Sequence, residues 1–258
     1  MKQKFKASNP VLQTMLNHKS VRNYQEKMPD EEAIEKIVRA GQQAPFVSQL
    51  YSILLARKGD KNNIAFGAPL LFTLCVDIHK LKKVMEKRGW ELVTNDISLL
   101  IFGIQDAAYL GQNMVTAAES LGLGTCFLGG APYYADKIRE EYELPDKVFP
   151  LVQLVMGYPA EEKPPRPRYP LDFVLFEDKY PEFSEEQLAE AMEVMDQGYL
   201  EQDYYRDLQA KIPLEEETED EYSYENYSWT EHISRKWGQW HENPREILKQ
   251  LSRCGFEL

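Results

Sequence analysis

The stretch Ser98–Gly124, SLLIFGIQDAAYLGQNMVTAAESLGLG, decides how this chain folds. Its apolar residues cover most of the circumference of a helix from Ser98 to Leu121, and a helix that is apolar all round is buried on every side. Gly122 and Gly124 stop the helix. The stretch therefore predicts either the central helix of a large core or part of an obligate subunit interface.

The segments around this helix alternate between short apolar runs and helical patterns. We expect Thr125–Leu128 to be a strand that leads into Gly129-Gly130. This order predicts a mixed α/β or α+β fold with helices packed over a sheet. Further strands are predicted at residues 51–56, 70–76 and 150–158, and helices at residues 11–16 and 30–41.

Composition limits the class of protein. The 258 residues carry a net charge of -12, and such a field repels nucleic acids and anionic membranes. No apolar stretch has the length of a membrane span, and none follows the basic residues at the amino end as a secretory signal would. Three cysteines (Cys75, Cys126 and Cys254) have neither a disulfide framework nor metal-ligand spacing. We expect a soluble cytoplasmic protein without a bound metal.

The chain is expected to divide after residue 183. Residues 1–183 then form the ligand-binding core, and residues 184–258 form a helical extension that packs on the core or on a partner copy. The extension contains the acidic run Glu215–Glu221, EEETEDE. Because dense blocks of like charge are usually solvated, we expect a mobile loop there.

His18-Lys19-Ser20-Val21-Arg22 gathers hydrogen-bond donors suited to a phosphate. In an extended backbone the side chains of His18, Ser20 and Arg22 point the same way. An imidazole, a hydroxyl and a planar guanidinium can all donate to phosphate oxygens. The segment predicts an anion site; the alternative is a solvated loop before a helix.

Arg166-Pro167-Arg168 lies in the run KPPRPRYP, where four prolines exclude both helix and central strand. The run predicts a stiff, extended, basic arm. Since polyproline geometry repeats every three residues, Arg166 and Arg168 need not face the same side. The alternative is a proline-rich linker with solubilising charges.

Gly129-Gly130 follows a predicted strand and can bring bare backbone N–H groups against a planar ring or a phosphate. A tight turn is the alternative interpretation. Neither a G-x-G-x-x-G motif opening a helix nor a P-loop motif is present, so dinucleotide-binding of the Rossmann type is disfavoured.

Seven motifs follow one another from His18 to Ile233 and span nearly the whole chain. Together they resemble the FMN-dependent nitroreductase family, and most of all its oxygen-insensitive NADPH nitroreductases and NADPH:FMN flavin reductases. They are His18-x-Ser20-x-Arg22, Ala44-Pro45, Gln112–Gly124, Gly129-Gly130, Gly157-Tyr158-Pro159, Arg166-Pro167-Arg168 and Trp229–Ile233.

The resemblance implies an α+β nitroreductase-like fold, with a central, mostly antiparallel sheet flanked by helices, in an intertwined homodimer that holds FMN at the dimer interface. The helix Ser98–Leu121 then packs across the dimer. The implied FMN contacts are His18, Lys19, Ser20 and Arg22 to the phosphate and ribityl chain, Gln49 to the flavin ring, Gly129 and Gly130 to the ring or phosphate through backbone amides, and Arg166 and Arg168 to the phosphate end.

The chain departs from the family pattern in two places. Phe46 stands where many relatives have a serine after Ala44-Pro45, so one flavin contact is replaced. In the NADPH-using subgroup the segment after Tyr204-Tyr205 is basic and grips the 2′-phosphate, whereas here it runs into acidic residues. Carboxylates repel a phosphate, so we expect weaker discrimination for NADPH or a preference for NADH. The alternative is that Glu215–Glu221 is disordered away from the site and leaves donor choice unaffected.

The resemblance implies a ping-pong reaction in which NAD(P)H reduces FMN and a nitroaromatic, a quinone or free flavin then collects two electrons. No side-chain nucleophile is required, and the sequence shows no Ser/His/Asp or Cys/His arrangement. Two alternatives stay open: an FMN-binding reductase for dehalogenation or ene reduction, and a flavin-binding module without catalysis.

Overall fold

The computed structural model describes residues 8–59, 64–215, 219–239, 243 and 245–258. Helices and strands are interspersed in the first part of the described chain, and the described residues after the fourth strand contain helices and no further strand. The strands are β1 Tyr51–Arg57, β2 Leu70–Asp77, β3 Gly124–Leu128 and β4 Val148–Gly157. The helices are α1 Pro10–Leu16, α2 Glu31–Gln42, α3 His79–Lys87, α4 Asp96–Ser120, α5 Ala135–Glu141, α6 Glu185–Leu200, α7 Tyr204–Leu208, α8 Trp229–Gly238 and α9 Glu246–Arg253.

The described residues form two compact units. The first contains the residues up to Lys163 and those from Asn243 to Leu258, and the second begins at Pro164. These limits differ from the division expected after residue 183. The reason for the return of the chain end is packing, because Leu251 and Phe256 are buried in the same cluster as Leu50.

The first unit is built on an antiparallel sheet of order β1-β2-β4-β3. Tyr51 pairs with Val76 across β1 and β2, and Gly124 pairs with Gly157 across β3 and β4. Every residue of β2 is buried, as befits an inner strand that is covered on both faces. The predictions of an α+β fold and of a mostly antiparallel sheet are confirmed.

Helix α4 packs on one face of this sheet together with α2. Leu110 and Met114 of α4 are fully buried, and Ile37 of α2 lies in the same core cluster. Burial of side chains of this size contributes about 2 kcal/mol each. A Cβ on Gly41 would lie 2.6 Å from Met114 Cγ, so the absence of a side chain lets the two helices approach closely.

The opposite side of α4 is exposed in the single chain, so α4 is not enclosed on every side by the core of one chain. Ile97, Ile101 and Tyr109 are each about half exposed, at 52%, 50% and 47%. Contiguous exposed apolar residues mark interaction surfaces, so this side favours the subunit-interface alternative. No helix in the described part of the chain is both long and apolar enough to cross a membrane.

The second unit has a small aromatic core of its own. Met195, Tyr199, Tyr205 and Tyr227 form a buried cluster among α6, α7 and the segment before α8. Ser184 begins α6 with a capping box that involves Gln187. Strong local signals of this kind explain why the helical content after residue 184 could be predicted.

Candidate functional site

The segment His18–Arg22 is extended and lies along the outer edge of β3. Ser20 pairs with Thr125 in a parallel bridge, and the Val21 N–H donates to the Thr125 carbonyl oxygen at 2.8 Å. Further along, Tyr24 bridges to Pro159. The extended backbone expected from the sequence is therefore present, and Thr125 fixes its register.

The side chains of Ser20 and Arg22 share one environment beside Cys126. Burial raises the pKa of the Cys126 thiol, while the Arg22 charge and a hydrogen bond with Ser20 act in the opposite direction. Burial also raises the pKa of the nearby Tyr24 phenol, whose hydroxyl donates to the Val21 carbonyl oxygen at 2.7 Å. Both groups stay neutral at pH 7, so Arg22 meets no negative charge from either.

His18 is held by a carboxylate that the sequence analysis did not single out. Its Nδ1 lies 2.6 Å from Oε1 of Glu119, a residue in the last turn of α4. Glu119 also lines a cavity of about 200 Å³ together with Lys19 and Pro159. The structure thus groups Ser20 with Arg22 at the thiol, and His18 with Lys19 through Glu119.

A buried aspartate organises the loop that carries Gln49. Asp106 of α4 is completely buried, and its carboxylate accepts the backbone N–H groups of Val47 at 2.6 Å, Ser48 at 3.1 Å and Leu50 at 2.9 Å. Gln49, between the last two donors, has a φ of 53°, in the left-handed region. The fixed loop leaves the Gln49 side chain exposed.

The same loop presents the departure at position 46. The Phe46 ring is 51% exposed, and the neighbouring Val47 is exposed to the same extent. An exposed phenyl ring cannot replace the hydrogen bond of a serine hydroxyl, but it offers a flat apolar surface. Phe46 therefore offers apolar contact area, and not a hydrogen bond, to a molecule that contacts this loop.

Gly129 and Gly130 follow β3 directly, as expected. Neither glycine has a positive φ, so backbone conformation does not require glycine there. A Cβ on Gly129 would meet nothing within 4 Å, whereas one on Gly130 would lie 3.3 Å from the Tyr134 ring. The bare backbone at Gly129 is thus open to close approach by a flat group.

Arg166 and Arg168 belong to the second unit, in a stretch without helix or strand, as the prolines predict. The Arg166 guanidinium lies 4.0 Å from the centre of the Tyr204 ring and donates to Gln202 Oε1 at 2.7 Å. Arg168 Nη1 donates to the carbonyl oxygens of Arg166 and Pro167. The contact of these arginines with a phosphate stays a prediction.

The basic residues after Tyr204-Tyr205 are paired with carboxylates inside the second unit. Arg206 lies 2.7 Å from Asp203, and Lys211 lies 2.7 Å from Asp220. Asp220, a member of the acidic run, also accepts from Arg235, whose side chain is 3% exposed. Ion pairs of Asp220 hold this end of the run, contrary to the expected mobile loop, while residues 216–218 lie outside the described residues.

Comparisons with known proteins show which family the chain is similar to. The model of the nitroreductase family matches residues 54–158, which include most of the sheet and all of α4. An "FMN reductase (NADPH)" of Bacillus subtilis is 30% identical over 213 residues, which are 77% of this chain and 84% of the relative. An "oxygen-insensitive NADPH nitroreductase" of Salmonella typhimurium is 27% identical over 205 residues, 74% of this chain and 83% of the relative.

Among solved structures, that of NfrA2 from B. megaterium superposes with a TM-score of 0.81 at 24% identity, over 97% of this chain and 99% of the other. At this identity the likeness concerns the fold. The family relationship rests on the 30% identity with the Bacillus subtilis relative, because this identity extends over most of both chains. The family match, the related sequences and the shared fold show that this chain belongs to the nitroreductase family.

Proposed function

We propose that the protein is an FMN-dependent oxidoreductase that uses NAD(P)H to reduce nitroaromatics, quinones or free flavin. Membership of the nitroreductase family supports the enzyme class, and relatives named as an FMN reductase and an NADPH nitroreductase support the cofactor and the reductant. The further step from family to site rests on the residues at the edge of β3.

The observation that carries this step is the polar edge formed by His18–Arg22 beside β3. In a chain of net charge -12, this edge offers a half-buried guanidinium and a hydroxyl side by side at neutral Cys126. A guanidinium in such a place suits a phosphate, which it can engage with two parallel N–H donors. We assign the FMN phosphate to Ser20 and Arg22, with His18 and Lys19 as further donors.

The other end of β3 suits the flavin ring. The strand rises about 3.3 Å per residue, so Thr125 and Leu128 are separated by about 10 Å. A ligand with its phosphate at Ser20 can therefore extend along the strand toward the open backbone of Gly129. Gln49, held by the Asp106 loop, and Gly130 are assigned to the ring. Arg166 and Arg168, in the second unit, keep the phosphate role that the family resemblance implies.

The residues of this site would position FMN and stabilise its negative charge. Bound FMN would supply the two-electron chemistry between NAD(P)H and the acceptor. Arg22, a fixed positive charge, favours an anionic ligand through its phosphate. The exposed Phe46 and the bare Gly129 leave flat surfaces against which a planar acceptor can lie. A flat slot of this kind suits many planar electrophiles, as expected for nitroaromatic and quinone substrates.

A homodimer is part of the proposal. The exposed apolar side of α4, with Ile97, Ile101 and Tyr109, supports it, and α1 also exposes apolar side chains, among them Val11 and Met15. Pairing of two copies through such a face would remove it from water. Light scattering should give twice the monomer mass, and Ile101→Asp should lower it toward the mass of one chain.

We also propose a cytoplasmic location and weak discrimination between NADPH and NADH. Three free cysteines, Cys75, Cys126 and Cys254, support a reducing compartment. The pairing of Arg206 with Asp203 and of Lys211 with Asp220 supports the donor choice, since a paired cation offers less to a 2′-phosphate. Measurement of kcat/KM with both donors tests this; a strong NADPH preference would refute it.

The visible absorption spectrum of the purified protein tests the proposed function. We expect a flavin band that bleaches with NAD(P)H under nitrogen and returns on addition of a nitroaromatic or quinone. A yellow protein that oxidises no NAD(P)H with any acceptor would support a binding module instead. Turnover only with halogenated or ene acceptors would support the other reductase class, and a colourless protein that ignores added FMN would refute every flavin-based function.

A further inference from the structure

An ion pair ties the phosphate segment to the end of α4. His18 Nδ1 and Glu119 Oε1 are 2.6 Å apart, and their side chains are 31% and 14% exposed. The two residues are separated by 101 positions in the chain, so the contact is a tertiary one. Among the described residues, the hydrogen bonds of the ring involve Nδ1 and not Nε2.

The chemistry of the pair fixes where the imidazole protons lie. An ionised carboxylate only accepts hydrogen bonds, so Nδ1 must carry the proton in this contact. If the ring is neutral, Nε2 then has a lone pair and repels a phosphate oxygen. If the ring carries both protons, Nε2–H becomes a donor to an anion while the positive charge is matched by Glu119.

The surroundings explain why a carboxylate can lie in a region suited to anions. Glu119 lines the same cavity as Lys19. Three basic residues, His18, Lys19 and Arg22, lie within one segment of five residues. A carboxylate that faced the ligand would repel a phosphate, whereas one turned to the far side of the His18 ring does not contact it. The contact occupies Nδ1 of the His18 ring and leaves Nε2, the other ring nitrogen, for a ligand.

We propose that Glu119 is a positioning residue for FMN binding: it orients the His18 ring and holds a proton on Nδ1, so that Nε2–H donates to the FMN phosphate. This inference rests on the proposed function, because it needs FMN at the His18–Arg22 segment. Glu119 itself does not touch the cofactor, and its effect passes entirely through His18.

Glu119→Gln tests the proposal in the full chain, titrated with FMN, since the amide keeps the size of the side chain and loses its charge. We expect the Kd for FMN, measured by quenching of flavin fluorescence, to rise about tenfold. The matched control is Glu91→Gln, an exposed glutamate in the loop before α4, which should leave the Kd unchanged. An unchanged Kd in Glu119→Gln would overturn the proposal.

A double-mutant cycle separates positioning from a merely structural role. In a His18→Ala background, Glu119→Gln should change the Kd for FMN by less than about twofold, because the residue through which it acts is gone. An equal tenfold effect with and without His18 would show that Glu119 acts on the packing of α1 and α4, and would overturn the inference.

Nitrogen NMR of histidine-labelled, FMN-loaded protein needs no variant. With four histidines in the chain, a His18→Ala sample assigns the signal. We expect both ring nitrogens of His18 to be protonated at pH 7; a neutral ring would contradict the proposal. If the unmodified protein binds no FMN, the proposed function fails, whereas tight FMN binding with a neutral His18 ring overturns this inference alone.

Discussion

The edge of β3 and the second unit use their basic residues in opposite ways. In the second unit, Arg235 is 3% exposed and lies 2.7 Å from both Asp220 and Glu231. At the edge of β3, Arg22 is half-buried and forms no salt bridge with any residue in the described ranges. The comparison teaches that one set of charges stabilises the protein itself, while the other remains available to an anionic ligand.

The largest expected effect is on the stability of the second unit. Arg235→Leu would leave Asp220 and Glu231 without their shared partner, and removal of one member of a buried ion network is strongly destabilising. We expect the Tm to fall by about 5 °C or more, measured by circular dichroism. The matched control is Arg88→Leu, an exposed arginine beyond α3. Equal Tm values for the two variants would show that the ion pairs of Arg235 do not stabilise the second unit.

At the edge of β3, Arg22→Gln should do the reverse. Loss of a guanidinium that holds a phosphate should raise the Kd for FMN about thirtyfold. The Tm of the FMN-free protein should change by no more than about 1 °C, because the charge has no carboxylate partner there. A large loss of stability with unchanged FMN affinity would show that Arg22 is structural after all.

Acid should destabilise the second unit through Asp220. The hydrogen bonds from Arg235, Lys211 and the Tyr222 backbone lower the pKa of Asp220. An aspartate with a depressed pKa contributes stability that is present above its unfolded pKa of about 4 and is lost as pH falls below it. We expect the Tm to fall as the pH is lowered from about 4 toward about 2, and to fall less steeply in Asp220→Asn. Parallel pH profiles of the two proteins would contradict this assignment.

The smallest expected effect concerns donor choice. Arg206→Gln should change kcat/KM for NADPH by less than about threefold, because Asp203 and Glu225 already lie near that guanidinium. Glu225→Gln removes one of these carboxylates and should improve NADPH use relative to NADH. A tenfold loss in Arg206→Gln would show that this cation serves the ligand despite its partners.

Sequence patterns predicted the strands, the main helices and the extended His18 segment, because these depend on local periodicity and turn residues. They did not reveal that Glu119 meets His18 or that Asp106 holds the Val47–Leu50 loop. Those contacts join residues 101 and 56 to 59 positions apart, and a lone acidic residue in a helix carries no local mark of its partner.

The sequence pattern also could not predict which side of α4 is exposed in the single chain. Apolar residues on all faces of α4 predict burial, but periodicity does not distinguish burial within one chain from burial against a second copy. The sheet covers Leu110 and Met114, whereas Ile97 and Ile101 remain in solvent in the single chain. Only tertiary contacts could show which side faced the core.

Titration of the FMN-free protein with FMN and with riboflavin tests whether the edge of β3 binds the phosphate, because the two ligands differ by the phosphate alone. We expect FMN to bind about a hundredfold more tightly than riboflavin, and Arg22→Gln to reduce that ratio to about threefold or less. Equal affinity for the two flavins in the unmodified protein, or a ratio that Arg22→Gln leaves intact, would contradict a phosphate site at the edge of β3.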